Sequence, residues 1–272
     1  MQKQFIILNG YLLFFQNLIH SSEKHIKEVS TYIAVLFFLS PEIMPIALSS
    51  SFFSDFCDIY ASYLEDPKNN YPILSVVSNA FNSIGYCYYS GKGVDKNITE
   101  AIKYYELAAS LGNIYAMLNL ANINEMVLKK FTKAIEYYEQ AAKLGNSDAM
   151  HILGNIYSDG ILVAQNITKA IELYEESANL GNSDALNSLG YLFEVGKGFE
   201  KNYTKAFEYF QKAAKLRNID AIINLALCYE NGNGVEKNYT KAIQYYKLMA
   251  SQGIVKAINY LGICYKEGKI VE

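Results

Sequence analysis

The sequence predicts an all-α fold: a right-handed α/α superhelical solenoid of about five 36-residue helix pairs plus a terminal helix, with a helical N-terminal region. Three observations predict it. One alanine column recurs at Ala101, Ala134, Ala170, Ala206 and Ala242, in steps of 33, 36, 36 and 36 residues. A second, at Ala80, Ala116, Ala149, Ala185, Ala221 and Ala257, has steps of 36, 33, 36, 36 and 36 and so shares the period. The phrase EKNYTKA occurs word for word at 200–206 and 236–242, with looser copies at 96–101 and 165–170. A unit of this length cannot bury its apolar face alone, so neighbouring units must stack.

Residues 1–78 stand outside the repeat and read as an apolar, helical cap region. The apolar stretch 5–19 is shorter than the roughly 20 residues that span a bilayer. It carries Gln2, Asn9 and Gln16 as a polar stripe, and no small-x-small cleavage site follows it. A second apolar stretch, 31–53, is interrupted by Pro41, Glu42 and Pro45. Residues 52–64 read as a further helix, ended near Asp66 and Pro67. Buried helices covering the first repeat are favoured here over a membrane span or a secretion signal.

The repeat region, 79–272, divides into units at 79–113, 114–146, 147–182, 183–218 and 219–253, with a partial unit at 254–272. In the unit 183–218, Ala185, Leu189 and Phe193 share one helix face, and Gly190 allows a second backbone to come close. Gly196 and Gly198 then break this helix A. Helix B places Ala206, Tyr209, Phe210, Ala213 and Ala214 on one side and stops at Leu216-Arg217-Asn218. Other units read Leu-Gly-Asn there, a left-handed glycine stop. Arg217 therefore sits in a glycine column. The unit 114–146 lacks the Gly-x-Gly loop and is three residues short. The partial last unit either caps the array or opens a further pair.

Asn97, Asn166, Asn202 and Asn238 occupy one column just before helix B. Each begins an Asn-x-Thr sequon, so the column serves as helix caps or as glycosylation acceptors, and capping is the favoured reading. Cys87, Cys228 and Cys264 replace aliphatic residues in helix A and read as buried apolar side chains. Neighbouring units stack too far apart for disulfides, so a reducing compartment follows. Neither the cysteines (with Cys57) nor the histidines cluster, so no metal site and no cofactor are expected. A net charge of −3 gives no reason to expect nucleic acid as a partner.

The order Ala-x3-Leu-Gly-x2-Tyr-x2-Gly-x-Gly-Val, followed by Lys-Ala-x2-Tyr-Tyr-x2-Ala-Ala, resembles the Sel-one-like repeat, a relative of the tetratricopeptide repeat. The last full unit carries it nearly whole, through Ala221, Leu225, Tyr229, Gly232, Gly234, Val235, Lys241, Ala242, Tyr245 and Tyr246. The resemblance implies a scaffold or adaptor that binds a protein or peptide, in the cytoplasm. The alternative it implies is an endoplasmic-reticulum glycoprotein adaptor of a quality-control complex, for which the N-terminal segment would be a targeting or membrane element. A hydrolase is a remote third reading, since no Ser, Cys or acid can be placed beside His151 from the sequence.

In helix A, the positions two and six after the alanine form one stripe pointing away from the expected core. It reads Asn82 and Tyr86, Leu118 and Asn122, His151 and Asn155, Asn187 and Tyr191, Ile223 and Leu227, then Asn259 and Ile263. Amides pair with a partner's backbone, and tyrosine offers contact area at low entropic cost. Asn82, Tyr86, Asn122, His151, Asn155, Asn187, Tyr191 and Asn259 are the candidate partner-binding residues, in a groove for a peptide or helix. The Tyr pairs of helix B read as core, and Glu136, Glu139, Glu175 and Glu176 as a solvated face.

Overall fold

The structure, a computed structural model, describes residues 71–268. The apolar segments expected to be helical before residue 71, and Cys57, lie outside them. The described residues form eleven α-helices and no strand. In order they are α1 (Tyr71–Ser90), α2 (Ile98–Ser110), α3 (Ile114–Asn122), α4 (Phe131–Lys143), α5 (Ser147–Asp159) and α6 (Ile167–Asn179). Then follow α7 (Ser183–Val195), α8 (Tyr203–Lys215), α9 (Ile219–Asn231), α10 (Tyr239–Ser251) and α11 (Val255–Lys266). The described residues fall into two compact units, 71–140 and 141–268.

In the first unit, α1 packs on α2 and α2 on α3. Phe81, Ile84, Ala101, Tyr105, Ala116, Leu120 and Tyr138 are buried. The missing loop of the second repeat takes an unusual form. After α3 the backbone widens into a π-turn, Ile123–Val127, and Lys129 adopts a left-handed φ of 55°. Buried Asn124 holds this turn by donating to Leu120 O at 2.8 Å, while its own carbonyl accepts from Lys130 N at 2.7 Å.

In the second unit each helix from α5 to α11 packs on the next. Its core repeats with the sequence: Ala170, Tyr174, Ala185 and Leu189, then Ala206, Phe210 and Leu225, then Ala242, Tyr246 and Ala257. Glycine sets the closeness of each pair. An added Cβ on Gly154 would lie 2.5 Å from the Tyr174 ring, and one on Gly190 would lie 2.6 Å from the Phe210 ring. In the first unit Gly85 meets Tyr105 at 2.7 Å in the same way. Cys87, Cys228 and Cys264 are free and buried, and burial pushes the Cys228 thiol up to about 12.

The repeated phrase before helix B is a start signal with two parts. Asn97, Asn166, Asn202 and Asn238 each accept from the backbone N–H three residues on, at 2.9–3.1 Å. The lysine three residues further on lies over the helix A aromatic: Lys169 over Tyr157, Lys205 over Phe193 and Lys241 over Tyr229, at 4.0–5.1 Å from the ring centroids.

Candidate interaction face

The asparagine that ends the helix B stop closes one helix and starts the next, and at Asn113, Asn182 and Asn218 it also ties two repeats together. Asn182 N–H donates back to Ser177 O at 3.1 Å, ending α6, and its Oδ1 accepts from Ala185 N, starting α7. Its Nδ2 then donates to Asp148 Oδ1 of the preceding repeat at 2.8 Å. Asn218 does the same with Ala213 O, Ala221 N and Asp184. Asn113, in the first unit, does so with Ala108 O, Ala116 N and Asn79. At the last repeat Ile254 replaces the asparagine, and an ion pair of Lys256 with Asp220, 2.8 Å, takes over the tie.

A second ladder runs along the helix A stripe. Asn82 Oδ1 accepts from Asn119 Nδ2 at 3.1 Å in the first unit. In the second unit Asn187 Oδ1 accepts from Asn224 Nδ2 at 2.9 Å, and His151 Nε2 lies 3.1 Å from Ser188 Oγ. Each rung joins residues 37 apart in the chain. The position two after the alanine is therefore turned onto the next repeat, and Ile223 at this position is buried.

His151 and Ser188 form the pair that sequence reasoning could not place, because one repeat separates them. They sit where other repeats carry an Asn–Asn rung. Burial lowers the His151 pKa against the opposing influence of Asp184 and Asp148, so the ring is largely uncharged at neutral pH. Asn155 Nδ2 is 3.5 Å from His151 Nε2, and Asn155 Oδ1 accepts from the Tyr174 hydroxyl at 2.6 Å. The Ser188 N–H lies inside α7, where it is spent on the helix rather than aimed at a developing oxyanion.

The position six after the alanine behaves differently. Tyr86 is 46% exposed in the first unit and Tyr191 54% exposed in the second. Lys92 Nζ stands 5.0 Å from the centroid of the Tyr86 ring. Asn122 is exposed and accepts from the Tyr138 hydroxyl at 3.1 Å. On α11 Ile263 is exposed, as is Asn259 at the position two after the alanine, and Leu227 is half-buried on α9. Among the described residues no group of His, Cys, Asp and Glu is arranged to hold a metal, and no helix is long and apolar enough to cross a membrane.

The Sel1 repeat model matches residues 82–113, 114–146, 147–182, 183–218, 219–254 and 255–272. The chain belongs to the Sel1 repeat family. A Sel1 repeat protein from Oxalobacter formigenes is 29% identical, with a TM-score of 0.65 over 77% of this chain and 85% of that one. The c5321 protein of uropathogenic Escherichia coli, a protective antigen with the SLR fold, is 23% identical with a TM-score of 0.70. That match covers 94% of this chain and 52% of that one, so this chain spans about half of its length. The comparison with curated proteins returns no match. The Sel1 repeat fold generally serves as a protein–protein interaction scaffold.

Proposed function

We propose that this chain is a non-enzymatic adaptor that holds a peptide or helix of another protein against the helix A stripe. One observation carries this reading: Tyr191 stands half-exposed one helical turn beyond Asn187, whose amide is already fixed to Asn224. A large amphipathic ring on a stiffened backbone loses little entropy when a partner covers it. Asn259, Ile263 and Leu227 extend the same register on the following helices of that unit. Tyr86 and Asn122 offer the same chemistry in the first unit. The side chains of Asn82, His151, Asn155 and Asn187 act in this reading as positioning groups, because their hydrogen bonds are made within the protein.

Affinity capture from the source cell with the native chain and with Tyr191→Ala tests the proposal. A protein retained by the native chain and lost from Tyr191→Ala, at unchanged melting temperature, supports it. An identical set of retained proteins overturns it.

A further inference from the structure

The shortened second repeat carries an exposed apolar tip. Met126 is 64% and Val127 47% exposed, and Leu128 and Phe131 are each 37% exposed. In two full-length loops the apolar residue after the glycines turns inward instead. Phe199 packs on Phe193, with ring centroids 4.7 Å apart, and Val235 packs against the cluster of Phe210 and Leu225. The π-turn Ile123–Val127 fans consecutive side chains outward, so the four form a convex tip and not a groove.

The backbone of this tip is already paired. Leu128 N–H donates to Ile123 O at 3.0 Å, and Lys130 N–H donates to Asn124 O at 2.7 Å. Such a turn brings few unsatisfied polar groups into an apolar medium. Lys129 and Lys130 follow directly, both exposed and without an ion pair among the described residues. Lys129 holds its φ of 55° where glycine would be less strained, so the cation stands there against the backbone's preference. The nearest acid along the chain, Glu125, is engaged by the Tyr138 hydroxyl at 3.0 Å. The α1–α2 loop also leads from helix A to helix B and so lies at the same end of this unit. It adds exposed Lys92 and Lys96 against one exposed acid, Asp95.

We propose that Met126, Val127, Leu128 and Phe131 insert into the interfacial layer of an anionic lipid bilayer, with Lys129 and Lys130 on its headgroups. Apolar side chains exposed together mark an interaction surface. Unpaired lysines beside them disfavour an apolar protein groove, which would desolvate both cations without a partner. A soft anionic surface needs no complementary pocket and satisfies both chemistries at once. The lysine stems reach the headgroups while the apolar side chains sit below them. The contact is peripheral and uses none of the residues of the helix A stripe.

The chain contains no tryptophan, so Met126→Trp places a single reporter on the tip. The full chain with this substitution is mixed with vesicles of phosphatidylcholine containing phosphatidylserine, and with vesicles of phosphatidylcholine alone. A blue shift in emission with the anionic vesicles is expected, quenched by brominated lipid and fading as salt is raised. In flotation of the full chain, Val127→Asp combined with Leu128→Asp should lower the vesicle-bound fraction about tenfold at unchanged melting temperature. Lys129→Gln with Lys130→Gln should remove most of the preference for anionic lipid. Unshifted emission, as when a protein partner or residues 1–70 cover the tip, overturns the proposal. Equal binding to both kinds of vesicle overturns it too. So does a bound fraction unchanged by the paired aspartates, because the lipid contact would then lie elsewhere in the chain.

Discussion

Asn218 Nδ2 donates to Asp184 Oδ1 at 2.6 Å while its Oδ1 caps α9, so one buried side chain fixes both the start of a helix and its distance from the previous repeat. Asn218→Ala should remove the cap and the charge-assisted bond together, at a cost of about 2–3 kcal/mol in urea unfolding. Asn218→Asp keeps a good cap but faces Asp184 with a second carboxylate. It should destabilise at pH 7, because the two carboxylates repel where an amide had donated. Combining Asn218→Asp with Asp184→Asn reverses the bond and should restore most of the stability. No recovery in that pair would mean the tie contributes little beyond the cap.

The Phe210 ring occupies the space of a Cβ on Gly190, with Cδ1 and Cε1 2.6 Å from it. Gly190→Ala should therefore cost about 1–3 kcal/mol despite the better helix propensity of alanine. In a Phe210→Leu background the same substitution should cost less, giving a coupling that a double-mutant cycle reads. Ala226 fills the equivalent position opposite Tyr246, which shows that the two helices can accept a methyl when their rings are set for it. Equal costs in the two backgrounds would remove the ring from the explanation.

The repeat was legible in the sequence because its rules are local. Ala185, Leu189 and Phe193 sit four apart, Gly196 stops a helix, and Asn202 opens one; each is read within a dozen residues. The Asn218–Asp184 tie and the Asn187–Asn224 rung were not legible, because their partners lie 34 and 37 residues away. For the same reason half of the expected stripe proved inward-bonded: periodicity gives the direction of Asn187 around its own helix, but not the approach of α9. The loss of Gly-x-Gly in the second repeat was visible as a deletion. The π-turn that accommodates it depends on the buried Asn124, which no spacing rule announces.

Arg217 holds the left-handed φ of 62° that glycine holds in the other stops, where Gly112, Gly145, Gly181 and Gly253 have φ of 79–88°. A side chain in that region costs about 1–2 kcal/mol, part of which is offset by the greater freedom of glycine in the unfolded chain. Arg217→Gly should thus stabilise by about 0.5–1 kcal/mol, read as a rise in melting temperature of a few degrees at most. Lys215→Gly, in the last turn of α8, is the control and should lower it. A drop for Arg217→Gly would show that its side chain contributes more than its backbone strain removes.

Buried phenols make the protein vulnerable to alkali. Burial pushes Tyr174 from its ordinary value of 10.0 up to about 12, and burial likewise raises Tyr105, Tyr138 and Tyr246. The folded state binds these protons more tightly than the unfolded chain. The stabilisation is therefore complete below about pH 10 and is lost as the pH climbs through 12. Tyr174 alone accounts for up to about 3 kcal/mol of that loss. Urea midpoints should hold up to pH 9 and fall steeply between 10 and 12. Tyr174→Phe gives up the 2.6 Å bond to Asn155, so it should start about 1 kcal/mol lower at pH 8 and then fall less with pH. A native-like slope in Tyr174→Phe would mean that other groups govern the alkaline transition.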